Sequence, residues 1–241
     1  MAECMRLSFD VDLWEEHEAS MLRLRRCRGT YLTKRPMDLM IVRRRLRLDG
    51  RFGVICMARD PRDVVVSKHG SAQDGGYFPY TSAAKYRVRW HTAQSLLEHP
   101  RFLLIRYEDL ITKPDDVQRK IASRFRYLTA TGSFSDFYRR GLISASSALA
   151  LNGVRPIDPR NTSKWMSHIE RLQSQLDAEG PIDDLLLGLG YEADGDWMRQ
   201  YGLREPVRAM IEPDSPRQPR VRAYFSALLN GAFATLGVPI G

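Results

Sequence analysis

Two short runs constrain this chain more than any other feature. Gly53–Ala58 (GVICMA) and Arg101–Tyr107 (RFLLIRY) are nearly unbroken apolar stretches of strand length, and a helical stretch follows each. Strands without polar alternate positions must be covered on both faces, as in a parallel sheet flanked by helices. Gly29–Lys34 (GTYLTK) adds a third short run rich in β-formers. The expected fold class is therefore α/β, with a mainly parallel sheet whose ligands gather at the carboxyl ends of the strands.

The helices are read from caps and periodicity. Asp10–Cys27 is expected to be one helix, with acids early and arginines late as the helix dipole prefers. Pro36 opens another through about Leu48. Asp60-Pro61-Arg62-Asp63 is a helix start, with Asp60 as cap, Pro61 at the first position and Asp63 completing a capping box. Thr81–His99 reads as a long helix with Ala84, Val88, His91 and Ser95 on one stripe. Further helices are expected over Lys113–Leu128, Ser163–Leu176 and Pro181–Tyr191. Residues 212–220 (EPDSPRQPR) read as a linker and residues 221–237 as a final helix. The resulting division is an α/β domain over 1–192, with 1–28 as its N-terminal helical part, and a tail over 193–241.

Composition narrows the function classes. Hydrophobic residues at 43% and aromatics at 10% describe a folded globule. No apolar run reaches the roughly 20 residues of a membrane span, and the first twenty residues lack the basic head and apolar block of a secretory signal. Cys4, Cys27 and Cys56 are odd in number and widely spaced, which fits neither a disulfide framework nor a zinc site; a reducing, cytoplasmic location is expected. The five histidines show no metal-ligand spacing, so no metal is expected. The net charge is +8, yet Met21–Arg59 alone holds twelve Arg or Lys against Asp38 and Asp49. That local surplus points to an anionic partner, or more simply to a solvated basic face.

Arg59 lies where a strand gives way to a helix, and its guanidinium suits a bidentate grip on phosphate. Ser67, two helical turns on, offers a hydroxyl donor. The segment Arg59–Ser67 (RDPRDVVVS) resembles the 3′-phosphate-binding segment of the sulfotransferases that use 3′-phosphoadenylyl sulfate (PAPS). The resemblance continues in order through residues 106–125 (RYEDLITKPDDVQRKIASRF), Arg155–Ile169 (RPIDPRNTSKWMSHI) and residues 187–192 (LGLGYE). It covers roughly Gly29 to Glu192.

The resemblance implies a P-loop-like α/β domain that takes PAPS as co-substrate. It implies transfer of a sulfuryl group to a hydroxyl or amine, on a glycan or small-molecule acceptor. Arg59 and Ser67 would hold the 3′-phosphate, with Arg160, Ser163 and Lys164 in a late loop over the nucleotide and Arg155 as an alternative. Trp165 and Trp90 are expected to pack in the core. Glu108 and Asp109 are expected to be structural, because adjacent residues in an extended segment point apart. The sequence carries no P-x-S-G-T loop for the 5′-phosphosulfate ahead of Gly29, and no G-x4-G-K-[ST]. Lys34 is the substitute expected near the sulfuryl group, from a neighbouring strand end. Among possible bases, His69 lies near the phosphate-binding helix, His91 is expected as a core residue and His17 as exposed. The alternative readings are a catalytically inactive or truncated nucleotide-binding relative and, ranked lower, a nucleic-acid binder using Arg23–Arg51. That basic block interleaves only Tyr31 and Phe52 as aromatics.

Overall fold

The computed structural model describes residues 1–23, 27–67, 81–140, 156–158, 160, 162–206 and 234–239. The fold is mixed α/β. It divides into two compact units: Met1–Ala58, Thr92–Asn161 and Phe233–Gly241 contribute to the first, and Arg59–His91 and Thr162–Ala232 to the second.

The first unit holds the sheet. Its strands are β1 (Leu13–Trp14), β2 (Tyr31–Lys34), β3 (Phe52–Ala58), β4 (Phe102–Arg106) and β5 (Ala234–Pro239), in spatial order β1-β2-β5-β3-β4. β1 pairs parallel with β2, and β3 parallel with β4, Ala58 lying opposite Arg106. β5 runs antiparallel to both β2 and β3. The other four strands therefore point one way around a single reversed strand. The three runs read as strands are strands. The final helix expected over residues 221–237 is corrected where the structure describes it, because Ala234–Gly237 belong to β5.

The helix expected over Asp10–Cys27 is also overturned. The chain instead begins with α1 (Ala2–Ser8), then β1, then a 3-10 turn at Met21–Arg23. Asp12 acts as a turn acceptor, taking the Thr30 N–H at 2.6 Å beside the β1–β2 pairing. α2 (Val42–Leu48) follows a 3-10 turn at Pro36–Met40 and packs on β3. α5 (Tyr107–Thr112) and α6 (Pro114–Arg124) follow β4, so Glu108 and Asp109 are helical where an extended strand end was expected. Asp109 serves structure, pairing with Arg106 at 3.1 Å. The core joins Cys4, Met5 and Phe9 to Ile55, Leu103, Ile105, Ile121 and Phe134. Within it Phe9 meets Phe134 edge-on at 5.7 Å, the geometry the ring quadrupoles prefer.

The second unit holds α3 (Pro61–Val65), most of α4 (Ala83–Gln94), α7 (Ile169–Glu179), α8 (Asp183–Leu189) and α9 (Trp197–Gln200). The α4 stripe is corrected. Ala84, Val88, His91 and Ser95 are exposed, and Ala83, Tyr86, Arg89, Trp90 and Ala93 are buried. Trp90 packs over Gly188 of α8, where a Cβ would come within 2.8 Å of the indole nitrogen. α8 ends on Gly190 in the left-handed region (φ 71°), a conformation that favours glycine. Tyr191 N–H then closes back on the Leu186 carbonyl at 2.9 Å. Among the described residues no helix is long and apolar enough to cross a membrane.

Candidate functional site

The turn from Arg59 into α3 is built as its sequence specifies, up to a point. Asp60 caps the helix, its Oδ1 accepting from Arg62 N–H at 2.9 Å, and Pro61 occupies the first helical position. The helix is a bare five residues long. The capping box at Asp63 is not what its carboxylate serves. Asp63 Oδ2 accepts from Arg59 Nη2 at 2.9 Å, and Oδ1 accepts from the backbone N–H of Trp165, 102 residues away, also at 2.9 Å. Ser67 Oγ donates to the Asp63 carbonyl at 2.6 Å. The Arg59 carbonyl is held in turn by the Tyr86 hydroxyl of α4 at 2.6 Å.

Asp63 therefore gathers three segments. The Asp63 side chain is fully buried, while that of Arg59 remains 26% exposed, so part of the Arg59 side chain reaches solvent. Trp165 is buried at 1% exposure, as expected of a packing residue. Its N–H on Asp63 ties the start of the Lys164–His168 turn, which Ser163 and Lys164 open, to α3. Both are exposed, and Ser163 takes a left-handed conformation (φ 56°, ψ 26°) that opens the 3-10 turn Lys164–His168.

Beside this lies a charged residue that sequence reasoning passed over. Arg62 is 5% exposed. It donates from Nε and Nη2 to the Asp60 carboxylate, at 3.0 and 2.8 Å to its nearest oxygens, and from Nη1 to Glu192. Its guanidinium lies 4.4 Å from the Trp165 ring centroid and 5.4 Å from that of Trp197, a desolvated cation–π arrangement. Burial pushes the Asp60 carboxyl up, with Arg62 pulling against it. Arg62 itself is disfavoured by burial, yet Asp60 and Glu192 carry its pKa above the usual arginine value. Two charges in one local motif carry no sequence signal that Trp165 and Trp197 will close over them.

The remaining expected residues fall elsewhere. Lys34 ends β2, and β5 lies between its strand and β3, so it does not come from the strand next to β3. Through Leu236 it is level with Ile55, which places it about 10 Å short of the Ala58 end of β3. Arg160 belongs to the first unit and folds onto its own neighbour Asp158, with Nε to Oδ1 at 3.0 Å, its side chain 89% exposed. His91 is exposed, where a core position was expected; His17 is exposed as expected. His69 and Arg155 lie outside the described residues. In the second unit, a groove of about 530 Å³ is lined by Glu170, Gln173, Ser174, Asp177, Leu203 and Arg204 among others. Two carboxylates against one arginine make it a poor seat for a polyanionic nucleotide.

Comparison of the chain with protein-family models, with curated proteins and with solved structures returns no match.

Proposed function

We propose that the chain binds the 3′-phosphate of an adenine nucleotide through Arg59 and Ser67, and that it transfers a sulfuryl group from PAPS to a hydroxyl or amine acceptor. The observation that supports this reading is the convergence on Asp63: its buried carboxylate accepts from Arg59 and from the Trp165 N–H, and its backbone carbonyl accepts from the Ser67 hydroxyl. A guanidinium presents several donors in a planar fork, so it can keep a carboxylate on one side and take a phosphate on another. The partly exposed Arg59 suits that division. Ser67 would turn its hydroxyl from the Asp63 carbonyl to the phosphate, exchanging a neutral hydrogen bond for a charge-assisted one. Exposed Lys164 adds positive charge to the same loop, and Ser163 adds a hydroxyl.

In the transfer the acceptor oxygen or nitrogen bonds to sulfur as the bond from sulfur to the 5′-phosphate oxygen breaks. Adenosine 3′,5′-bisphosphate leaves, and the acceptor's proton passes to a base. Catalysis of this kind is chiefly positioning and charge stabilisation. The P-loop-like assignment of the sheet belongs to the same reading, supported by the parallel β3–β4 pair. So does a cytoplasmic location, since Cys4, Cys27 and Cys56 are all free thiols.

The test is binding of adenosine 3′,5′-bisphosphate. At a hundredfold its dissociation constant it stabilises a folded binder by about 2.7 kcal/mol, read as a rise in Tm. Arg59→Ala should abolish the rise relative to that variant's own baseline. Ser67→Ala, which removes one hydrogen bond to a charged group, should weaken binding roughly tenfold or more. No rise in the parent chain, or an equal rise in Arg59→Ala, would sink the assignment. Labelled PAPS offered with hydroxyl and amine acceptors then separates transferase from silent binder.

A further inference from the structure

The basic block of the sequence resolves into a surface distinct from the nucleotide reading. α2 buries Val42 and Leu46. Its outer side presents Arg43, Arg44, Arg47 and Leu48, all exposed, with Ile41 just ahead of it. At about 100° per residue, Arg43, Arg47 and Arg44 follow one another around the helix, and Leu48 and Ile41 complete the arc. Leu48 is 72% exposed and Ile41 41%. Arg51 extends the stripe past the helix end with its side chain 68% exposed. Asp49, the one acid in this stretch, is held by Arg45 at 2.8 Å and lies 3.8 Å from Arg51 Nε. Arg44 and Arg47 make no ion pair among the described residues. Leu48 and Arg51 lie toward the amino end of β3, a seven-residue strand whose other end, Ala58, is about 20 Å away.

We propose that this face docks the chain onto an anionic phospholipid surface. Two attractions combine there: arginines meet the lipid phosphates and serine headgroups, and Leu48 with Ile41 enters the boundary of the acyl region. A nucleic acid would use the arginines but gain nothing from an exposed leucine. The stretch from Ile41 to Arg51 also has no aromatic side chain for bases to stack on.

The experiment is co-sedimentation of the full chain with phosphatidylcholine vesicles, with and without phosphatidylserine, at physiological ionic strength. Binding is expected only with phosphatidylserine. Arg44→Gln and Arg47→Gln should each lower the partition coefficient about fivefold, and Leu48→Gln should lower it several-fold with both arginines intact. All three positions are exposed, so unchanged melting of the variants verifies that the fold is kept. Failure to bind anionic vesicles, equal binding to neutral ones, or indifference to Leu48→Gln each overturns the proposal. So does tighter binding to an oligonucleotide that displaces the vesicles.

Discussion

Asp63 and Asp38 show how much of this molecule turns on single carboxylates. The interval from Arg59 to Ser67 is legible in the sequence, but the residue that organises both is not, because its second partner lies 102 positions downstream. Asp38 has the same character in the first unit. It is 5% exposed and accepts from Met21 N–H at 2.6 Å and Ser20 Oγ at 3.2 Å, with Arg35 at 3.8 Å. Burial raises its pKa above the ordinary 3.8, against the pull of those hydrogen bonds and Arg35. A raised folded-state value means that the folded chain holds this proton more tightly than the unfolded chain does. Its contribution to stability therefore falls as pH rises from 3.8 through the raised value, and the cost persists above it. Asp38→Asn removes that titration. Urea midpoints measured between about pH 4 and pH 7 should show the variant gaining on the parent as pH rises. Parallel profiles would mean that Asp38 ionises normally.

Among the elements, α4 shows why a correct helix can carry a wrong face. Ala84, Val88, His91 and Ser95 form one regular stripe, and Ala83, Tyr86, Trp90 and Ala93 form another, both compatible with helical periodicity. The large rings of Tyr86 and Trp90 offer far more area to bury than one valine does, and they turn the helix. Trp90→Ala should cost about 3–5 kcal/mol, whereas Val88→Lys and His91→Lys should each stay within about 0.5 kcal/mol, as measured by urea unfolding. A large loss at Val88 would restore the other face. The misread first helix has a related origin. Charge order along Asp10–Cys27 is a weak signal worth tenths of a kcal/mol per residue. Pairing of Leu13 and Trp14 with Tyr31 and Leu32 overrides it.

For the whole chain, β5 is the deciding strand. It is the last described segment, and it joins β2 to β3 by pairing antiparallel with both. A chain ending after Pro206 lacks it and exposes two strand edges. Hydrogen exchange should then show lost amide protection along Tyr31–Lys34 and Phe52–Ala58, with an aggregation-prone product. Full protection in that truncated chain would show that β2 and β3 hold without β5. The sequence by itself determined the strands β2, β3 and β4, the Asp60–Pro61 helix start and the helices α6 to α8, because apolar runs, caps and prolines act over a few neighbouring residues. Only the tertiary structure decided the reversed strand in the sheet, the buried face of α4, the closing of Trp165 and Trp197 over Arg62, and the place of Lys34. Each of these depends on groups far apart in the chain, whose burial and pairing no local pattern encodes.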